Sequence, residues 1–188
     1  MLTRFAINDD IPGISVLQEK NLFENLSESE MEDGFVTTPF TTAQLEALLV
    51  ERGVFVAVED AEIMGYAIAA SWEYCAQWPI FPYMLARLAG SSFVDTVISD
   101  TNSYQYGPVC IDSQLRGTDL FPRLFEEMRV EFSTRYPVGI TFINQVNQRS
   151  YEAHTRKIGM AVVDTFEFSG RRYYSLAFDS ARSVFPSL

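Results

Sequence analysis

From residue 104 onward the chain alternates two hydrophobic periods, and that alternation limits the fold more than any other feature. Residues 104–111, 138–143, 161–168 and 171–178 are rich in β-branched and aromatic side chains and read as strands. Between the first two, Leu120, Phe121, Leu124, Phe125, Met128 and Phe132 recur on one side of a helix over residues 120–132. Pro122 is tolerated there because it falls in the first turn, where its missing N–H costs little. Residues 148–158 predict a further helix, capped by Asn147 and closed by Gly159. Ser169–Gly170 turns the last two strands into a hairpin. Strands alternating with helices call for a mixed sheet covered by helices.

The N-terminal part supplies the rest of that sheet. Residues 2–7 predict a strand, and Asn8, Asp9 and Asp10 offer caps to a helix carrying Ile11, Ile14, Val16, Leu17 and Gln18. Residues 25–38 are polar and acidic and read as loop with a helical turn. Thr41 or Thr42 caps a second helix with Leu45, Leu48 and Leu49 on one face. Residues 54–59 and 63–71 read as a hairpin turned at Asp60–Ala61. Residues 72–90 are aromatic and broken by Pro79 and Pro82, with a helix near 83–88 and a loop running on to about 102. The predicted order is β-α-α-β-β-insert-β-α-β-α-β-β, and 188 residues fit one α/β domain spanning 1–188.

Composition removes several classes of function. A net charge of -11 makes nucleic acid a poor partner. The same charge favours a cationic acceptor such as an amine, or simply keeps the protein soluble. No apolar run approaches the ~20 residues that cross a bilayer, and the N-terminus lacks a secretion-signal layout. The expectation is a soluble cytoplasmic protein with no membrane partner. Cys75 and Cys110 form no CxxC pair, and a single histidine, His154, rules out a His-rich metal site.

The segment from Gly107 to Phe121, GPVCIDSQLRGTDLF, carries the sharpest chemical signal. A strand ends near Ile111–Asp112, a short turn holds Gln114, Arg116 and Gly117, and a helix opens near Thr118–Asp119. Such a bend aims backbone N–H groups and the positive end of a helix at one spot, which suits a pyrophosphate. Strand, glycine turn and helix also join elements in ordinary α/β proteins.

The turn resembles the acyl-CoA motif of the GNAT N-acetyltransferase superfamily, [QR]-x-x-G-x-[GA]. Gln114 and Gly117 match it, and Asp119 stands where the family prefers Gly or Ala. That carboxylate should repel pyrophosphate unless it turns inward as the helix cap. Downstream, NQRSYEAHTRKIGM resembles N-x-x-[SA]-x-x-x-[YH]-x-x-x-G-F, with Asn147, Ser150 and His154 in register. Gly159–Met160 arrives one residue late, so the helix must absorb a residue by a bulge or a longer last turn. The opening RFAINDDIPGI is similar to the family's first strand, acidic turn and helix.

The resemblance implies a GNAT-like, mostly antiparallel central sheet with helices on both faces. It implies acetyl-CoA as cosubstrate and direct attack of an amine on the thioester. Val109, Cys110 and Ile111 would meet the pantetheine arm. Gln114, Leu115, Arg116, Gly117, Thr118 and Asp119 would face the pyrophosphate, and Asn147 and Ser150 would lie near the thiol. The strands bearing Ile111 and Ile143 would splay around the thioester. The family's tyrosine acid is replaced here by His154, with Tyr151 the next candidate, and His154 equally suits a core role. Glu73 is the foremost candidate base, against a plain surface role. Trp72, Tyr74, Trp78, Tyr83, Tyr104 and Tyr106 are candidates to wall the pocket of a small-molecule amine, while the Trp72–Tyr83 segment equally suits core or the face of a homodimer. A non-catalytic acyl-CoA-binding module and a protein N-terminal or lysine acetyltransferase stay open as alternatives.

Overall fold

The computed structural model describes residues 1–27, 35–36 and 39–185. The described strands are β1 (Leu2–Phe5), β2 (Val54–Glu59), β3 (Glu62–Ala70), β4 (Ser92–Phe93), β5 (Thr96–Val97), β6 (Ser103–Ile111), β7 (Val138–Asn144), β8 (Ala161–Phe168) and β9 (Arg171–Asp179). The α-helices are α1 (Ile11–Lys20), α2 (Thr42–Val50), α3 (Trp72–Cys75), α4 (Ile80–Leu88), α5 (Leu120–Ser133) and α6 (Gln148–Glu152). A π-helical segment, Ala153–Ile158, continues α6. The main sheet runs β1-β2-β3-β6-β7-β9-β8. β1–β2, β2–β3, β7–β9 and β8–β9 are antiparallel, and β6–β7 is parallel. This is the mixed, mostly antiparallel sheet expected. Much of the loop expected over 25–38 lies outside the described residues; its start is a 3-10 turn at Phe23–Asn25.

The chain divides into two compact units, and β3, β6 and α5 each contribute residues to both. The first unit comprises Met1–Ala69 and Pro108–Met128. Its central strand β2 is buried from Val54 to Ala57, which explains an apolar run without alternation. Asp60 and Ala61, both at positive φ, turn β2 into β3. Helix α2 starts on a reciprocal cap. The Gln44 N–H donates to Thr41 Oγ1 at 3.3 Å, and the Thr41 N–H donates to Gln44 Oε1 at 2.9 Å. Asp10 caps differently from expectation. Its carboxylate accepts the Ile7 N–H at 2.8 Å and two bonds from the Arg4 guanidinium at 2.6 and 2.9 Å. Leu124 and Phe125 of α5 are fully buried, as are Ile14, Leu45 and Leu48. Each such burial contributes about 1.5–3 kcal/mol.

The second unit comprises Ala70–Gly107 and Arg129–Leu188. Here the β6–β7 register runs from Ser103↔Val138 to Gln105↔Ile140. Gly107 follows with φ +108. Tyr104 stacks its ring against Phe132, Tyr136 and Phe178 at 4.6, 5.6 and 5.8 Å. Helix α4 rests on the terminal strand β8. Arg87 donates to both carboxylate oxygens of Asp164, at 2.7 and 3.1 Å, and to the Thr165 carbonyl at 3.3 Å. β8 also carries a register shift between Val162 and Asp164. The stretch expected as loop up to residue 102 contains instead the β4–β5 hairpin, turned at Val94–Asp95. Among the described residues no helix is long and apolar enough to cross a membrane.

Candidate functional site

In the first unit, β6 delivers Val109, Cys110 and Ile111 into the turn singled out by the sequence. Cys110 points inward. It is buried, its thiol donates to the Leu17 carbonyl at 3.9 Å, and burial pushes the thiol up to about 12. Any role of Cys110 toward a ligand therefore belongs to its backbone and not to a thiolate. Asp112 then orders the bend. Its carboxylate accepts the Gln114 N–H at 3.0 Å and its carbonyl accepts the Leu115 N–H at 2.9 Å. A 3-10 turn spans Ser113–Leu115, and α5 begins at Leu120.

Ser113, Gln114, Gly117, Thr118 and Asp119 are exposed, so the bend faces solvent. Gly117 sits at φ +89 with nothing near the place a Cβ would occupy. Only glycine adopts that conformation cheaply, and no side chain fills the space beside it. Several N–H groups expected to await an anion are bonded within the turn. Gln114, Leu115 and Thr118 donate to Asp112 and Leu115 acceptors. Asp119 does not turn inward: it is exposed, and Thr118 Oγ1 accepts the Leu120 N–H at 3.2 Å. Its charge remains beside the opening of α5. Arg116, expected to add charge to the cradle, donates through Nε to the Ile111 carbonyl at 3.3 Å and through Nη2 to Asn21 Oδ1.

In the second unit, Asn147 caps α6. Its Oδ1 accepts the Ser150 N–H at 3.1 Å, and the residue is buried. The residue that arrives late in the family-like pattern is absorbed by the π segment, whose closing Gly159 N–H donates five residues back to the His154 carbonyl. Met160 donates to the same carbonyl at 3.1 Å. His154 is buried beside the Tyr106 ring at 5.7 Å, and its Nδ1 lies 2.7 Å from the Ser150 carbonyl. A carbonyl only accepts, so Nδ1 carries the proton. Burial drives the imidazole down to about 4. His154 is thus neutral at pH 7, which removes the argument that it titrates near neutrality as an acid. Tyr151 is half-buried, with its ring 4.6 Å from that of Tyr174. Glu73 is exposed on the short helix α3.

The aromatic candidates separate into two groups. Trp72, Tyr104 and Tyr106 are buried in the core. Trp72 is buried and donates to Ser103 Oγ at 2.9 Å. Tyr104 and Tyr106 share the fully buried face of β6, and burial raises both phenols far above their ordinary value. Tyr74, Trp78 and Tyr83 are partly or well exposed. Tyr74, Trp78 and Phe81 follow one another at 5.8 and 5.9 Å, and Phe81 meets Phe142 at 5.5 Å. Tyr83 stands on the Phe166 and Phe168 rings of β8. Sequence reading missed Phe142 and Phe166, although both sit in predicted strands. It also missed Asn21, which carries no local motif. Among the described residues no His, Cys, Asp and Glu group could hold a metal ion.

No protein-family model and no curated protein matches the chain. Solved structures align over nearly its whole length. A GNAT-family acetyltransferase from Streptococcus pneumoniae is 11% identical with a TM-score of 0.61, covering 95% of this chain and 98% of that one. A putative acetyltransferase from Salmonella typhimurium, solved with its cofactor acetyl-CoA, is 16% identical with a TM-score of 0.63, covering 95% and 93%. A ribosomal-protein-alanine N-acetyltransferase from Brucella melitensis is 17% identical with a TM-score of 0.61, covering 95% and 99%. These alignments show that the chain has the fold of the GNAT acetyltransferases.

Proposed function

We propose that the protein is an acetyl-CoA-dependent N-acyltransferase that moves an acetyl or short acyl group to a small-molecule amine. The observation that carries this reading is the solvent-facing turn after Ile111, where Gly117 at φ +89 leaves open space at the start of a 14-residue helix. The N-terminal end of that helix favours an anion, and the glycine admits a diphosphate close to the backbone. Val109 to Ile111 would pair their backbone with the pantetheine arm. A backbone N–H there would steady the oxyanion that forms when the neutral amine attacks the thioester carbonyl.

Tyr151 is the better acid for the departing thiolate, since an imidazole driven to about 4 is almost never in its acidic, doubly protonated form at neutral pH. Asn147 and Ser150 would shape the backbone near the thiol. Glu73, exposed on α3, or a water molecule would take the proton of the attacking amine. Tyr74, Trp78 and Tyr83 would offer ring faces to an ammonium group before it deprotonates. The acidic total of -11 suits any cationic acceptor, protein tails included.

Calorimetric titration with CoA and a thiol-release assay over a panel of small amines and basic peptides test the reading together. Gly117→Trp should abolish CoA binding while lowering the melting temperature by only a few degrees, the cost of a side chain at positive φ, and Tyr151→Phe should lower kcat while sparing CoA affinity. Unchanged affinity in Gly117→Trp removes the cradle. CoA binding without turnover on any amine selects the binding module, and turnover on peptides alone selects a protein acetyltransferase.

A further inference from the structure

We propose that Arg116 is a positioning residue, which braces the cofactor turn against the end of α1 through Asn21 and does not contact the diphosphate. This rests on the acyl-CoA reading of the turn. The guanidinium bonds in two directions at once: Nε to the Ile111 carbonyl at 3.3 Å, and Nη2 to Asn21 Oδ1 at 2.5 Å. The guanidinium meets the two acceptors with separate nitrogens held in one plane, whereas an ammonium would have to reach both from a single nitrogen.

Asn21 is a fixed anchor. It is buried, its Nδ2 donates to the Leu17 carbonyl at 2.8 Å, and its N–H donates to the Gln18 carbonyl at 2.9 Å. Its own carbonyl accepts the Val36 N–H at 2.8 Å. The Leu17 carbonyl also receives the Cys110 thiol, one residue before Ile111. A closed circuit therefore runs from Cys110 and Ile111 through Arg116 and Asn21 to Leu17 and back to Cys110. Swinging Arg116 toward a phosphate would strip a buried amide oxygen of its charged donor, which opposes such a movement. With residue 116 tied down, the exposed residues that follow, Gly117 to Asp119, start from a fixed point. The brace organises the cradle before any ligand arrives, and preorganisation shows as affinity.

The test measures CoA dissociation constants by calorimetry, at low and moderate salt, for the full chain and for Arg116→Met, Arg116→Lys, Asn21→Leu and the Arg116→Met/Asn21→Leu double variant. Amide exchange across residues 112–119 is followed without ligand. The expected result is about tenfold weaker binding in each single variant and about tenfold, not a hundredfold, in the double. Arg116→Lys should be no better than Arg116→Met, the salt dependence should parallel wild type, and exchange should quicken in every variant. A direct phosphate contact gives the opposite pattern: Lys restores affinity, Asn21→Leu binds as wild type, and Arg116→Met flattens the salt dependence. Should Asn21→Leu melt below the assay temperature, the comparison of Met with Lys at 116 still decides. A wild-type chain without affinity for CoA removes the acyl-CoA reading itself, and unchanged exchange in Arg116→Met refutes the brace independently of it.

Discussion

The only histidine of the chain makes its folding stability depend on pH between its unfolded and folded titration. His154 titrates at 6.5 when unfolded and is driven to about 4 by burial when folded. Between those values the unfolded chain binds a proton that the native chain refuses, so stability falls as pH falls. The distance from 6.5 to about 4 corresponds to about 3 kcal/mol, lost progressively from about pH 7 down to pH 4. Against a typical total of about 5–15 kcal/mol, that loss is large.

The carboxylates act lower. At Asp10 burial is outweighed by the Arg4 guanidinium and the Ile7 N–H, and Asp164 is paired with Arg87, so both sit below 3.8. The stability they contribute is present above that value and is lost only as pH falls through their lowered range. Urea unfolding at half-unit steps from pH 7.5 to 4.5 should therefore show a steady decline in wild type and a nearly flat line in His154→Phe. The variant's absolute stability is immaterial, because the slope alone counts protons. A wild-type curve that stays flat from pH 7 to 5, or a decline that survives in His154→Phe, would show that the imidazole is not held neutral in the interior.

Two further outcomes follow from the turns. Asp119→Ala removes a negative charge beside the opening of α5 and should tighten CoA binding about threefold at low salt, with the gain shrinking as salt rises; equal affinity at all salt concentrations would mean that the carboxylate never meets the cofactor's charge. Ala61→Gly relieves a residue at φ +67 and should raise unfolding free energy by about 0.5–1 kcal/mol in denaturant titration. A loss of stability would show that the Asp60–Ala61 turn carries no strain.

Where local chemistry decided the structure, the sequence was readable. β2 and β8 occupy residues 54–59 and 161–168 as their β-branched and apolar content predicts, and the surplus residue before Gly159 became a π segment. The β4–β5 hairpin escaped because its central residues, Val94 and Asp95, lack the glycine or asparagine that advertises a turn with positive φ. Parity placed Tyr104 and Tyr106 on one face of β6, but both faces of the strand are buried there, Ser103 and Gln105 included, and the sequence does not show that neither face is open. Trp72 was ambiguous for a related reason, since a ring suits a wall or a core equally until its indole N–H finds Ser103. Arg116 reads as an anion ligand in any window of ten residues. Its actual partner stands 95 positions away, a separation that only tertiary structure can reveal.

The clasp of α4 on β8 bears on how the molecule avoids growing into fibres. A terminal strand invites any extended segment to continue its ladder. Here the invitation is withdrawn at mid-strand: the Val162–Asp164 irregularity breaks the repeat a newcomer would need, and Arg87 already occupies the Thr165 carbonyl. An incoming chain would have to evict a charged side chain from its carboxylate before pairing at Thr165, so this margin of the sheet is a poor template for a second copy.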